Sequence, residues 1–397
     1  MKNLVYTTQL KSSLNQGVKM TLGMKVRQAY DSAIVFYKDV YARDEARQQI
    51  PDSSTALIEI DIPKDGTIIK DIRVSPTGQD VAYVAWKNGE YKVHIQKTSK
   101  TQARSTILAG GILDYSAAPD PDYPILTWSN TGYKLAILYR KKNDVHLRIY
   151  NALKAKIENY DIPQNRFDRV LSMTFMEDDD KMIFSAIKKG KTDLYEFTIR
   201  GKRMKNITDD AWDDLQPWYV SGGSRRGILF ISNRSKPNLD APLAINELPT
   251  GPMNVYFYNT TTRQKELLQL TNVKTGDVSQ PIQYGADNYA YLYNESGINN
   301  QYIIVMGKDI KRRDTSYTVP VTDHARNIIA HQYSPVSNQV ADVLQVGGKY
   351  KIYYKGLLTT DIKPTAPQPT LLKESEANKK RSVINEDAMV NTGIDIK

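Results

Sequence analysis

The pattern of apolar and polar residues changes once along the chain, near residue 50. From residue 16 to 48, apolar side chains recur at steps of three or four residues, which is typical of an amphipathic helix. The recurring residues are Val18, Leu22, Val26, Tyr30, Ile34 and Tyr37. Pro51 and the polar residues after it end this pattern, so a helical segment followed by a short linker is expected.

From about residue 56 the apolar residues alternate with polar ones, which predicts β-strands. The alternation recurs in six copies, each with an apolar strand, a tight turn and a second apolar strand. The second strands begin at residues 81, 135, 182, 228, 289 and 340. A repeat of about 40–50 residues suits a four-stranded blade. The sequence therefore predicts an all-β fold, a six-bladed β-propeller with a short N-terminal helical segment.

Three regions follow from these patterns: a helical segment at 1–52, the propeller at 53–372, and a flexible tail or linker at 373–397. Within the propeller, residues 235–252 are rich in Pro and Asn and predict a surface loop. No apolar core of a signal peptide is visible near Met1. The abrupt start suggests a fragment of a longer protein, with the helical segment ending an upstream domain.

One strand has no hairpin partner in its own repeat. Residues 56–63 resemble residues 156–163, which end the second repeat, yet no inner strands precede them. In the sixth repeat, Pro364, Pro367 and Pro369 make a fourth strand doubtful, since proline cannot donate to a ladder. We expect residues 56–63 to be the outer strand of the sixth blade, beside 350–355. The alternative is an edge strand on the first blade.

Composition narrows the chemistry of the chain. With no cysteine and four scattered histidines, a thiolate or imidazole metal site is not expected. The net charge of +10 is not concentrated in a long basic run, so no nucleic-acid partner is expected. Neither a Gly-x-Ser-x-Gly elbow nor a His-Glu-x-x-His motif occurs. We therefore expect neither catalysis nor a cofactor within this chain.

Two acidic clusters, residues 177–180 and 209–214, fall at predicted turns. Aspartate favours turns because its side chain bonds the local backbone. Carboxylates are also the ligands of Ca²⁺. Turn chemistry is the preferred interpretation and no metal site is assigned, although a cation at Asp178–Asp180 or Asp209–Asp214 stays open.

The innermost strands show two kinds of column when the six repeats are aligned on their turns. Two apolar columns flank a column in which every side chain can form hydrogen bonds. Because neighbouring strand residues point to opposite faces, the polar column is expected to line the central channel. Its members are the candidate binding residues Arg73, Thr127, Thr174, Tyr219, Gln283 and Gln332. Propeller channels are commonly polar with or without a ligand, which is the simpler reading of this column.

The repeat resembles that of TolB-like propellers. Residues 215–221 and 227–234 are similar to the family pattern P-x-W-S-P-D-G-x-x-I-A-F-x-S-x-R, and residues 75–83 match it with Thr77 in place of Asp. Residues 192–197, followed by 206–208, resemble its D-I-Y-x-x-D … L-T close. The Ser-Pro pair is present in only two of the six turns, and the fifth repeat matches poorly.

The resemblance implies a binding or scaffold propeller of the periplasm or the outer membrane, with a protein or peptide partner at its channel face. Membrane association would then come from regions outside this chain. Residues 12–46 also resemble the end of a peptidase-like domain of large bacterial outer-membrane-associated proteins. The alternative is therefore a gating or scaffold propeller of a larger peptidase whose catalytic domain lies outside this chain. A third hypothesis is that the chain binds a sugar or another polymer, and it is based on the Tyr and Trp residues expected to be exposed.

Overall fold

A computed structural model describes the chain in two compact units. One contains residues 51–367, and the other combines residues 1–50 with 368–397. These divisions fall near the predicted boundaries at residues 53 and 372. The described residues are 14–49, 51, 56–99, 103–111, 120–141, 144–160, 162–163, 166–243, 248–358 and 362–379.

The smaller unit is helical. Helix α1 spans Leu14–Leu22 and helix α2 spans Val26–Arg47, which confirms the helix predicted from 16 to 48. Gly23, with φ of +72°, lies between them, a backbone conformation that glycine adopts at little cost. None of the helices in the described part of the chain is long and apolar enough to cross a membrane.

Part of the C-terminal segment also belongs to this helical unit. Residues 371–379 are helical, whereas the sequence predicted a flexible tail from 373. Their first turn is fixed by Asp44, whose carboxylate accepts the Leu371 N–H at 2.9 Å. Arg47 and Glu374 form an ion pair at 2.6 Å. These contacts with α2 are long-range in sequence, which is why local polarity alone suggested a tail. The rest of the predicted tail lies outside the described residues.

The larger unit is a ring of six four-stranded antiparallel sheets, which confirms the predicted fold class. Strand β1 spans Ala56–Asp61. The first blade is formed by β2 Ile68–Val74, β3 Asp80–Lys87, β4 Glu90–Lys97 and β5 Arg104–Gly111. The second is formed by β6 Ile125–Trp128, β7 Lys134–Lys141, β8 Asp144–Asn151 and β9 Lys156–Tyr160. The third is formed by β10 Arg169–Phe175, β11 Lys181–Lys188, β12 Lys191–Thr198 and β13 Arg203–Asn206.

Blades four to six continue the same order of strands. The fourth blade is formed by β14 Asp214–Val220, β15 Gly227–Ser232, β16 Asn254–Asn259 and β17 Leu268–Gln269. The fifth is formed by β18 Val278–Tyr284, β19 Asn288–Tyr293, β20 Asn300–Lys308 and β21 Asp314–Pro320. The sixth contains β22 Ile328–Ser334, β23 Gln339–Val346 and β24 Lys349–Gly356. In each blade the first strand is paired with the second, and the second with the third.

The core lies between blades rather than inside any one of them. Ala82 and Val84 of the first blade pack with Leu126 and Trp128 of the second. The same arrangement joins the other blades, as where Ile183 of the third blade packs with the fourth. A single sheet of this size cannot bury both faces, so the stacking of blades supplies the apolar burial.

The ring is closed by the first strand of the chain. β1 pairs antiparallel with β24, with Ile60 opposite Tyr350, and so becomes the outer strand of the sixth blade. Ile58 and Ile60 are 0% and 4% exposed. Glu59 accepts from Lys349 at 2.7 Å and from Lys351 at 2.9 Å. This confirms the predicted closure and rules out pairing with the first blade.

Candidate functional site

Two adjoining cavities lie along the inner strands of the ring. The first has a volume of about 420 Å³ and is lined by residues of all six blades. The second has a volume of about 340 Å³ and lies nearer the turns that follow these strands. Thr127, Thr174, Trp218 and Gln332 line both cavities and therefore lie between them. Together the cavities form the axial channel.

The structure brings all six candidate residues to this channel. Arg73 lines the first cavity, Tyr219 and Gln283 line the second, and Thr127, Thr174 and Gln332 line both. All six are buried or half-buried, and Arg73 is the single charged residue among them. Their role in binding stays a prediction.

The strand pairing agrees with the predicted alignment of the polar column in four blades. In the other two blades the predicted residue is one position away from the one that matches Arg73. Arg73 lies opposite Ala82, and the matching positions in blades four and five are Trp218 opposite Leu229 and Ile282 opposite Ala290. Tyr219 and Gln283 therefore lie on the other face of their sheets from Arg73. Tyr219 packs towards blade three, in the cluster that contains Ile183. The turns of blades four and five differ in length from that of blade one, so alignment on turns misplaces their faces.

A ring of β-bulges at the start of the inner strands was not predicted. The pairing register shifts between Lys70 and Arg73 in the first blade, and equivalent shifts occur in the fourth and fifth. Asp71, Gln216 and Gln280 occupy these bulges with φ of 48°, 52° and 49°. Non-glycine residues in this left-handed region are strained, and such residues cluster at ligand sites.

In the first, fourth and fifth blades, the bulge side chain is hydrogen-bonded to the next blade. Asp71 accepts the N–H of Leu126, Gln216 accepts the N–H of Gln280 at 2.6 Å, and Gln280 donates to the Ile329 carbonyl at 2.8 Å. The Gln-Pro dipeptides at 216–217 and 280–281 were a sequence pattern that could have located this ring in two of the blades. These bonds hold the wall of the first cavity in one arrangement.

The first cavity is bordered by a compact group of paired charges. Three aspartates are held by three arginines: Arg73 pairs with Asp71 at 2.8 Å, Arg140 with Asp120 at 3.1 Å, and Arg169 with Asp120 at 2.9 Å and also with Asp122. Lys70 lies beside this group on β2 and also lines the cavity. Burial lowers the pKa of Lys70, and the nearby aspartates oppose that effect.

The second cavity has a different lining, without a charged side chain among the described residues. Trp128, Trp218, Tyr219 and Tyr333 supply aromatic surface. The remaining lining includes amide groups and the backbone of residues 221–223 and 285–286. The channel thus has a charged end and a neutral aromatic end.

His331 lines the first cavity, but both of its ring nitrogens are hydrogen-bonded to other residues of the protein. Its Nδ1 accepts from the Gln301 amide at 2.8 Å, and its Nε2 donates to the Gln280 carbonyl at 2.6 Å, an assignment that follows from these partners. Complete burial lowers the pKa of His331 to about 4. The imidazole is therefore neutral near pH 7 and has both nitrogens engaged.

In both acidic clusters, aspartate carboxylates accept hydrogen bonds from other groups of the protein. Asp178 accepts the N–H groups of Asp180 and Lys181 at 3.3 and 3.1 Å, which confirms the turn role. In the second cluster, Asp214 accepts two bonds from Arg234 at 2.6 and 2.9 Å, and Asp210 accepts one at 3.1 Å.

Asp193 completes a group of three carboxylates whose oxygens lie within 4.8 Å of one another. Arg234 is fully buried against two of them and supplies the positive charge that a cation would otherwise supply. Burial raises the pKa of Asp214 to about 7, and the Arg234 guanidinium opposes this rise.

Comparison with known proteins places the fold beside other propellers. No protein-family profile and no curated protein matches the sequence. TolB from Acinetobacter baumannii is 10% identical with a TM-score of 0.39, and the match covers 73% of this chain and 55% of that one. A putative TolB from Agrobacterium tumefaciens is 11% identical with a TM-score of 0.43, covering 73% and 91%. The propeller domain of the trilobed protease from Pyrococcus furiosus is 14% identical with a TM-score of 0.45, covering 77% and 98%. The chain is similar to these proteins in being a β-propeller, and the likeness extends to the fold alone.

Proposed function

We propose that this propeller is a non-catalytic binding module that docks a protein or peptide partner at its axial channel. The observation that carries the proposal is the pair of adjoining cavities walled by all six blades. Volumes of about 420 and 340 Å³ fall within the range of ligand pockets. They suit a short peptide segment, whereas a folded domain would have to insert a loop or a terminus.

The wall of the channel is organised before any partner arrives. The bulge bonds between blades and the apolar clusters fix the inner strands, for instance where Gln280 bridges to Ile329 at 2.8 Å. A preorganised site loses little conformational entropy on binding. Rigid strands that present polar groups into a cavity are therefore suited to recognition.

The polar groups of the channel are arranged for binding rather than for bond cleavage. Ser172 accepts the N–H of Gln216 at 3.2 Å, and both nitrogens of His331 are engaged. Within the described residues, no hydroxyl of the channel is bonded to a histidine, the arrangement that activates a serine nucleophile. This use of the side chains supports the proposed non-catalytic role.

The proposal includes a location in the cell envelope, with any membrane contact made by regions outside this chain. Its support is the resemblance of the repeat to TolB-like propellers, as in residues 215–221 and 227–234. Fractionation of cells of the source organism, followed by immunodetection, tests this part. Recovery with cytoplasmic markers would contradict it.

A random dodecapeptide library displayed on phage tests the binding role. We expect selected peptides to bind the wild-type chain at least tenfold more tightly than a Thr174→Trp variant, because Thr174 lines both cavities and an indole would fill the channel. Fluorescence anisotropy with synthetic copies of the peptides gives the affinities, and mass spectrometry shows whether they stay intact.

Lys205→Trp is the matched control, since Lys205 is exposed on the outer strand β13. It should bind as the wild type does. Failure to enrich any peptide over a blank surface, or equal binding by Thr174→Trp, would refute the channel as the docking site. Peptide cleavage that one channel mutation abolishes would refute the non-catalytic assignment.

A further inference from the structure

Among the residues that the structure describes, the charged end of the channel has one more cation than it has carboxylates. Each aspartate there has an arginine partner, with the shortest distances of 2.8 Å for Asp71 and 2.9 Å for Asp120. The four cations Lys70, Arg73, Arg140 and Arg169 face the three carboxylates Asp71, Asp120 and Asp122. The arginine pairs use all three carboxylates.

Lys70 is the cation that this pairing leaves over. It forms no ion pair with any residue that the structure describes, although Asp71 and Asp122 are near enough to influence its titration. Its side chain is half-buried and faces the first cavity. A charge in a partly desolvated place is unfavourable unless it is neutralised. The unpaired positive charge of Lys70 therefore favours the binding of an anion in this cavity.

Two neutral polar side chains that line the same cavity as Lys70 also have no hydrogen-bond partner among the described residues. Gln332 is only 8% exposed and lines both cavities, yet its amide makes no hydrogen bond within the described residues. The Thr127 hydroxyl is likewise unbonded among them and lines the same cavities. Neither is among the fully buried polar atoms that lack a partner, so both face the open space of the cavity. These groups can donate to the oxygens of an incoming ligand.

We propose that the first cavity binds a carboxylate of the partner, either a chain-terminal carboxylate or an Asp or Glu side chain, through an ion pair with Lys70. The inference rests on the proposed function and specifies its ligand chemistry. A cationic group would find every carboxylate already paired with arginine and would be repelled by Lys70. The neutral aromatic cavity beyond then receives the uncharged residues that adjoin the carboxylate.

The orientation of a bound segment follows from the two linings. Its acidic group would lie at the bulge end, near Lys70, and its apolar residues would lie at the turn end, near Trp128 and Tyr333. Tryptophan and tyrosine provide large apolar surfaces with a polar edge. The preferred ligand is therefore an acidic peptide that carries an aromatic or aliphatic residue close to its carboxylate.

A synthetic peptide panel tests the inference. Peptides from the phage selection are made with every Asp and Glu kept or changed to Asn and Gln, and with a free or an amidated C-terminus. We expect the wild type to prefer the carboxylate forms, and Lys70→Gln to lose about tenfold in affinity for them, the scale of a charge-assisted hydrogen bond. Lys70→Arg should retain most of the affinity.

Lys205→Gln is the control for a general loss of positive charge, and it should bind like the wild type. The melting temperature of Lys70→Gln should equal or exceed that of the wild type, because the lysine has no described ion pair to lose. Sodium acetate and sodium phosphate at equal ionic strength serve as competitors. Stronger competition by phosphate would assign the site to phosphate and overturn the carboxylate.

The two proposals fail in different ways. If peptides bind and Thr174→Trp blocks them, but Lys70→Gln and the amide peptides bind as tightly as their acidic counterparts, the carboxylate inference is wrong and the binding role stands. If no peptide binds at all, the binding role itself is wrong. A lower melting temperature for Lys70→Gln would show that the lysine has a structural role instead.

Discussion

Replacing both Ile58 and Ile60 with alanine should remove most of the stability of the ring. The two side chains are 0% and 4% exposed and pack with Val343 and Ile352 of the sixth blade. A buried Ile→Ala change costs about 2–5 kcal/mol, while a whole domain is stable by only about 5–15 kcal/mol. Urea denaturation followed by intrinsic fluorescence measures the loss.

Ile157→Ala provides the comparison, because Ile157 is a half-buried residue of β9, the outer strand of blade two. It should shift the urea midpoint much less. Hydrogen exchange of the β24 amides that face β1 reports directly on closure, since these amides lose their partners when β1 departs, whereas the alternate amides stay paired with β23. A double variant that unfolds at the wild-type midpoint, with β24 still protected, would show that closure contributes little.

Changing Arg234 to methionine should destabilise the fourth blade by about 3–5 kcal/mol, the cost of leaving a buried charge without its partner. Arg234 and Asp214 are both completely buried, and their shortest contact is 2.6 Å. Asp210, at 3.1 Å, would lose the same counter-charge. Chemical denaturation of the variant and the wild type gives the difference directly.

The deficit of Arg234→Met should depend on pH in a defined direction. Burial already raises the pKa of Asp214 to about 7, above the value of about 3.9 for an unfolded chain. Removal of the guanidinium raises it further, so the folded variant binds a proton more readily than the unfolded one. Its deficit should be larger at pH 8 than at pH 5.

Arg200→Met is the control, since Arg200 is 83% exposed and lies 3.7 Å from Asp180. Surface pairs of this kind contribute at most about 1 kcal/mol. An Arg234→Met variant that is as stable as Arg200→Met, or one with the same deficit at both pH values, would contradict the assigned charge balance.

The ring and its closing strand could be predicted from the sequence because both depend on local patterns that repeat. Six alternating segments with tight turns predict six blades, and the likeness of residues 56–63 to 156–163 identifies an outer strand without a blade. The helical stripe before Pro51 was equally local. Each of these patterns reflects the period of its own element.

The details of the channel depend on distances between blades, which no local pattern encodes. The slip at Tyr219 and Gln283 arose because turn lengths vary between blades, whereas the facing of each strand is set by packing against its neighbours. The ion pairs of Arg169 join residues almost 50 positions apart. That Lys70 has no ion-pair partner among the described residues is visible only in the structure, where Arg169 pairs with the neighbouring carboxylates of Asp120 and Asp122.

The position of β1 in the sixth blade sets an order of events on the ribosome. Strand β1 ends at Asp61, and its partner β24 begins at Lys349. At a synthesis rate of about 5–20 residues per second, the partner emerges roughly 15–60 s after β1. Throughout that interval the nascent chain carries a strand with Ile58 and Ile60 and nothing to pair with, which is the kind of edge that other chains can capture. Translation speed and nascent-chain chaperones should therefore affect the yield of folded protein more than they affect its final stability.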